Sequence, residues 1–430
     1  MNYMSIKDKK QNIVIIGSGH AGVQVADSLR KEGYNGTLTL LEQETATPYQ
    51  RPPLSKETAS SAEMLQPIPL RPASFFKDNQ INLRLGSNVS SIDRSNKNVE
   101  LSTGELISYS QLVFATGAKN RTLKVPGSDL VGIQSLKTLA DAEILYSRLT
   151  AAQSVVIVGA GFIGLEFAAS AKNRGLDVTV LEYAERPMAR ALSTEMSRWF
   201  IKAHQKIGID LRLNEGIASF QGSPEGNVLS AISTTGTIYP ADLVLVGVGV
   251  TSRSELAEKC GLAVENGIVV DTEMVTSDPD IFAVGDCANF PSPYANQRTR
   301  LESIQNATDQ AKYAAKSILG KHTDSQGYRD LPWFWSIQGK WKLQIAGLVG
   351  ATDETVVRGD QENNFSIFCF REGKLTAVES VNSPSDHMAA RRILSQRIPI
   401  SPEQTADTSL NLRELARNPK LKRPVAASES

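Results

Sequence analysis

The stretch I-V-I-I-G-S-G-H-A-G-V-Q-V-A-D-S-L-R (residues 13–30), followed after a turn by L-T-L-L-E (residues 38–42), decides how this chain folds. Ile13, Val14, Ile15 and Ile16 have the branching and length of a strand buried on both faces. Gly17, Gly19 and Gly22 follow at once. In that spacing the first glycine permits a tight turn, the second lets a pyrophosphate approach the backbone, and the third lets the next helix lie close to the strand. A helix predicted from about Ala21 aims unpaired N–H groups and about half a positive charge at such a phosphate. The second strand ends in Glu42, twenty residues beyond Gly22, where a carboxylate can accept a hydrogen bond from a ribose 2′-hydroxyl.

The same order of signals returns later. Residues 155–158 predict a buried strand, Gly159, Gly161 and Gly164 repeat the spacing, a helix runs through Glu166 to about Asn173, and residues 178–181 end in Glu182. Two dinucleotide sites are therefore expected in one chain. Glu182, supported by Glu185, favours NADH by repelling a 2′-phosphate, whereas Arg186 nearby is of the type that accommodates one.

Between and after these units the chain punctuates itself. T-P-Y-Q-R-P-P-L-S-K (residues 47–56) is a proline-bound loop carrying Arg51 and Lys56, either as solvated cations or as cofactor contacts. Residues 80–115 alternate in short pieces, which predicts an antiparallel β excursion, then a strand at 112–115 running into Thr116 and Gly117, a second place where backbone can approach a nucleotide. A strand at 243–246 closes the second unit. Another ends at Gly285 and Asp286, an acid that either caps a following helix or holds a polyol hydroxyl at the sheet crevice. Residues 300–319 predict a helix with Glu302 near its start and Gly320 at its end. Beyond about residue 326 come short β-like runs, opened by P-W-F-W-S-I-Q, whose aromatics read either as core or as site residues.

Composition narrows the function. Lys plus Arg and Asp plus Glu each total 46 in 430 residues, so no net charge pulls the molecule toward nucleic acid or membrane. Lys7, Lys9 and Lys10 precede an apolar run that Gly17 interrupts too early for a signal peptide. Cys260, Cys287 and Cys369 are too few and too scattered for a disulfide framework, which suits a reducing, cytoplasmic setting. No cysteine precedes Cys260, so the pair that a disulfide reductase needs is missing. His20, His204, His322 and His387 lack ligand spacing, and no metal is expected.

Taken in order, G-S-G-H-A-G, Y-Q-R-P-P-L-S-K, A-T-G-A, G-A-G-F-I-G-L-E, V-G-D-C-A, R-L-E-S-I-Q-N-A and P-W-F-W-S-I-Q resemble the oxygenase-coupled ferredoxin reductases, FAD flavoproteins of glutathione-reductase-like fold. The resemblance implies an α/β chain with two Rossmann-like dinucleotide-binding domains of the three-layer ββα type and a smaller α+β C-terminal domain. Its expected boundaries are 1–120 and 255–325 for FAD, 121–254 for NADH, 326–410 for a domain covering the flavin, and 411–430 for a flexible tail. It implies that Gly17, Gly19, Gly22, Glu42, Arg51, Lys56, Gly117, Asp286 and Glu302 serve FAD, and that Gly159, Gly161, Gly164 and Glu182 hold NADH. Lys56 and Glu166 match a salt bridge beside the flavin, and Trp335 would lie near the exit to the acceptor. The expected partner is an iron–sulfur ferredoxin, and through it an oxygenase, with no nucleic acid, no membrane and no legible oligomeric state. Alternatives on the same scaffold are an NADH oxidase, a monodehydroascorbate- or rubredoxin-type reductase, and a redox-sensing flavoprotein like the apoptosis-inducing factors. Ile337 departs from the family's usual Asp or Asn.

Overall fold

The computed structural model describes residues 12–56, 66–322 and 326–417. Lys7, Lys9 and Lys10 lie outside the described residues. The chain divides into two compact units, one made of Met1–Arg51, Gln66–Lys119 and Val250–Asp330, the other of Pro52–Leu65, Asn120–Gly249 and Leu331–Ser430.

The first unit is built on a five-stranded parallel sheet in the order Ile281–Ala283, Gln111–Phe114, Asn12–Ile16, Thr37–Leu41, Asn82–Arg84. Ile13, Val14 and Ile15, at its centre, are fully buried, which accounts for the unbroken apolar run. Each such side chain contributes about 1.5–3 kcal/mol when removed from water. Residues 82–84, expected in the antiparallel excursion, instead form the parallel edge of this sheet. They pair with Thr39, Leu40 and Leu41, because a βαβ sheet extends outward from its second strand. The antiparallel excursion is the three-stranded sheet Val89–Asp93, Asn98–Leu101 and Leu106–Ser108. Helix Ile304–Ile318 starts later than expected because Ser303 caps it, accepting from the Asn306 N–H at 3.1 Å, worth about 1 kcal/mol. Glu302 therefore stands outside the helix.

The second unit repeats the scheme in a five-stranded parallel sheet ordered Asp210–Leu213, Asp177–Glu182, Ser154–Val158, Leu243–Val246, Ile133–Gln134. It also contains an antiparallel five-stranded sheet, Trp333–Gln338, Trp341–Gly347, Lys374–Val381, Asn364–Arg371 and Glu354–Asp360 in spatial order. Helix Pro384–Ser395 follows and buries Ala389, Ala390, Ile393 and Leu394. Residues 412–417, expected within the flexible tail, form the helix Leu412–Arg417 with Leu412, Leu415 and Ala416 buried. Arg358 explains the order: its guanidinium donates to the carbonyls of Thr405 at 3.2 Å and Leu410 at 2.8 Å, and to that of Asp407. Residues 418–430 of the expected tail lie outside the described residues.

Glu379, on strand Lys374–Val381, is wholly buried. Its carboxyl accepts from the N–H of Ser193 at 2.9 Å and from the Ser193 hydroxyl, and Ser193 in turn caps helix Thr194–Lys206. Burial pushes the Glu379 pKa up from 4.5 to about 7, against the lowering effect of Ser193 and Arg186. A carboxyl raised by folding contributes stability that is full below about 4.5 and is lost as pH rises through about 7. Glu379→Gln, an isostere of the protonated acid, is expected to unfold at the wild-type temperature near pH 4.5 and at a higher temperature above about pH 7. Thermal unfolding across that window checks this; identical curves for the two proteins would refute it.

Candidate functional site: two braced glycine turns and a buried ion pair

In the first turn Gly17 has φ +101°, and a Cβ there would lie 2.4 Å from the Ala115 carbonyl oxygen. A Cβ on Gly22 would lie 1.8 Å from the Gly17 carbonyl oxygen, whereas one on Gly19 would meet nothing within 4 Å. Gly19 is also the N-cap of helix His20–Lys31, with no side-chain cap bond. The helix thus presents unpaired N–H groups to open space, a cradle for an anion. Glu42 braces this turn, accepting from Ser18 N–H at 2.8 Å, Ser18 Oγ at 2.7 Å and Glu44 N–H at 3.0 Å, and keeps acceptor capacity for a hydroxyl.

The surrounding charges suit a phosphate. Burial first, then Arg51 and Arg71, lowers the His20 pKa to about 4, so this imidazole stays neutral. Arg51 is held by Glu44 at 2.8 Å and Arg71 by Asp27 at 2.7 Å. Gly117 has φ +67° and open space where a side chain would be. Asp286 sits in the tight turn Gly285–Cys287, and strand Ala288–Ser292 follows directly. It has no following helix to cap, which removes that reading. Glu302 pairs with Arg300 at 2.7 Å.

The second turn is built alike. Gly159 has φ +106° with a prospective Cβ 2.5 Å from the Gly247 carbonyl oxygen; that of Gly164 would be 2.2 Å from the Gly159 oxygen; Gly161 faces open space. Glu182 accepts from the N–H groups of Ala160 at 2.7 Å and Ala184 at 2.8 Å. Arg186 is committed elsewhere: it donates to the carbonyls of Leu192 at 2.8 Å and Ala189 at 2.9 Å and to Ser197 Oγ at 2.9 Å. Its guanidinium is thus spent on the loop. Both turns therefore fit dinucleotides, through their open N-caps and braced acids.

Also in the second unit, Lys56 Nζ meets Glu166 Oε2 at 3.0 Å, and both side chains are largely buried, 19% and 6% exposed. Sequence reasoning missed the rest of this cluster. Ser55 Oγ donates to the same oxygen at 2.5 Å, while Ser336 Oγ and the Ile337 N–H donate to Oε1 at 2.7 and 3.1 Å. Four donors from two segments thus saturate one carboxylate. The signal for Ser336 was present in W-F-W-S-I-Q, since strand alternation buries Ser336 and Gln338 and turns Ile337 outward, 38% exposed. The Ile337 departure thus alters surface, while its backbone still serves Glu166. Trp335 is half-buried and lies 5.6 Å, centroid to centroid, from Trp333.

Residues 11–311 match the family model described as pyridine nucleotide-disulphide oxidoreductase, and residues 333–416 match one described as reductase C-terminal. The chain is 48% identical over 403 residues to rhodocoxin reductase of Rhodococcus erythropolis, covering 94% of this chain and 93% of that protein. Among solved structures, the ferredoxin reductase for the CYP199A2 system from Rhodopseudomonas palustris superposes with a TM-score of 0.91 at 43% identity, covering 94% of this chain and all of that one. The covalent putidaredoxin reductase–putidaredoxin complex also gives a TM-score of 0.91, at 35% identity, covering 96% of this chain and 100% of the other.

Proposed function

Because the chain belongs to the pyridine nucleotide-disulphide oxidoreductase family, we propose that it is an FAD-dependent NADH:ferredoxin reductase whose iron–sulfur partner feeds an oxygenase. The observation that carries this reading is the pair of braced glycine turns joined in one chain to the buried Lys56–Glu166 pair, with no cysteine before Cys260. Rhodocoxin reductase, the CYP199A2-system reductase and the putidaredoxin complex support it by their names. Residues 1–120 and 255–325 are assigned to FAD, 121–254 to NADH and 326–410 to the third domain. A cytoplasmic protein suits three unpaired cysteines, and no helix among the described residues is long and apolar enough to cross a membrane.

When bound, FAD supplies a two-electron acceptor for the hydride of NADH and a one-electron donor to the ferredoxin. The chain supplies the rest. Gly17, Gly19 and Gly22 admit the FAD pyrophosphate, Glu42 takes the ribose, Arg51 and Gly117 line the nucleotide, and Asp286 and Glu302 hold its polar atoms. Gly159, Gly161, Gly164 and Glu182 do the same for NADH, and Glu182 with Glu185 repels a 2′-phosphate. Lys56 and Glu166 fix the charge beside the reacting rings, and Trp335 stands on the acceptor side.

An anaerobic titration of the purified flavoprotein with NADH, followed by cytochrome c reduction with and without acidic ferredoxins, tests the reading. NADH should bleach the flavin, NADPH should do so about a hundredfold less effectively, and cytochrome reduction should require a ferredoxin and weaken with added salt. A flavin oxidised only by oxygen or quinones would instead identify an oxidase, and protein without flavin would end the proposal.

A further inference from the structure

From Glu166 a line of hydrogen bonds runs inward through the second unit. Ser336 Oγ, which donates to Glu166 Oε1 at 2.7 Å, accepts from Gln338 Nε2 at 3.2 Å. Gln338 Nε2 also donates to Met188 Sδ, 3.4 Å away. The Gln338 oxygen is left to accept, and His204 Nε2 stands 2.7 Å from it. An amide oxygen only accepts, so His204 carries its proton on Nε2. Its Nδ1 is buried with no hydrogen-bond partner, as the unprotonated nitrogen of that tautomer would be. Every donor in the series His204, Gln338, Ser336 points toward the Glu166 carboxylate.

None of the three is exposed to solvent, and Glu166 only 6%. They come from separate elements: His204 from helix Thr194–Lys206, Ser336 and Gln338 from strand Trp333–Gln338, Glu166 from helix Phe162–Asn173. His204 lies between the Phe200 ring, stacked at 6.0 Å, and the edge-on Trp341 ring at 5.6 Å. Burial lowers its pKa to about 4, so it is neutral near pH 7. In that aromatic cage a phenylalanine would avoid the cost of a buried, unpaired Nδ1. What the histidine offers in return is a donor at the head of a chain that ends on an anion, where successive hydrogen bonds polarise one another.

We propose that Ser336, Gln338 and His204 are positioning residues for hydride transfer, forming a one-way donor chain that fixes the Glu166 carboxylate in the rotamer that grips Lys56. The proposal rests on the role assigned above to the Lys56–Glu166 pair.

Two readouts on the FAD-loaded protein test it. In ring-nitrogen-labelled NMR spectra His204 should be the neutral Nε2–H tautomer at neutral pH, and its Nε2–H proton should shift upfield in Ser336→Ala, where the anion no longer polarises the chain. In anaerobic stopped flow, Ser336→Ala and His204→Phe should slow flavin reduction by NADH about tenfold, the equivalent of one hydrogen bond to a charged group. His204→Gln, whose amide nitrogen reaches the Nε2 position, should recover most of the rate. Protonation of His204 on Nδ1, a proton shift indifferent to Ser336→Ala, or wild-type reduction rates in Ser336→Ala would each overturn the proposal; Ser336→Ala decides the matter if His204→Phe fails to fold. A wild-type flavin that NADH does not reduce would overturn the reductase reading itself and is distinguished by being visible before any substitution.

Discussion

Gly22→Ala is expected to be purified without its flavin. The added Cβ would lie 1.8 Å from the Gly17 carbonyl oxygen, far inside the 3.0 Å that real Cβ contacts observe, and the obstructing atom is backbone. Relief requires helix His20–Lys31 to back away from strand Asn12–Ile16, which carries its N–H groups off the phosphate. Overpacking of this kind costs about 3 kcal/mol, or about a hundredfold in affinity. Gly164→Ala is the internal control, because its Cβ would lie 2.2 Å from the Gly159 oxygen in the other turn. That variant should stay yellow and bind NADH about a hundredfold more weakly. The flavin-to-protein absorbance ratio and the NADH dependence of bleaching measure the two effects. A fully flavinylated Gly22→Ala protein, or loss of flavin from both variants alike, would contradict the assignment of one cofactor to each turn.

Glu166→Gln is expected to lose both stability and rate. Four donors converge on the two carboxylate oxygens. Glutamine supplies one oxygen and one NH2 group, so either Lys56 and Ser55 or Ser336 and the Ile337 N–H must face another donor. Removing one partner of a buried pair costs about 3–5 kcal/mol; Lys56 is 19% exposed, so the lower end applies. Flavin reduction by NADH should fall about a hundredfold, the scale of a misplaced group at a reacting centre. The double substitution Lys56→Met with Glu166→Leu separates the two effects, since replacing a buried ion pair by apolar side chains is often neutral for stability. Its unfolding temperature should recover while its reduction rate does not. Recovery of both would mean that the pair is only structural.

The parts of this molecule legible in the sequence are those written in contiguous residues. Ile13 to Glu42 spells out strand, turn, helix and brace because each element dictates the next within a few residues, and the same holds from Val155 to Glu182. Pairings between distant residues left no local trace of which partner each would meet. Ser336 reaches Glu166 across 170 positions, and no pattern near Glu166 announces it. The strand Asn82–Arg84 alternates like its antiparallel neighbours, and only its pairing with Thr39–Leu41 makes it parallel. The helix Leu412–Arg417 sits in a stretch that reads as tail because Arg358, which orders the residues before it, lies far upstream. Arg186 shows the converse limit: its charge was legible, but its commitment to the carbonyls of Leu192 and Ala189 was not.

The interrupted sheet of the first unit also sets an order of events in folding. Strand Gln111–Phe114 pairs with Ile281–Ala283, and residues 120–249, which lie between them in the chain, belong to the other unit. Closing so long a loop while it is disordered carries an entropic penalty that grows with its length. Yet Arg121 N–H donates to the Gly249 carbonyl at 3.0 Å, so once this segment is folded its two ends lie side by side. The rest of the chain then meets a short clip instead of a long coil. The intervening segment should accordingly acquire amide-exchange protection first during refolding, and the sheet of the first unit should mature last, when the edge strand at 281–283 pairs with Gln111–Phe114.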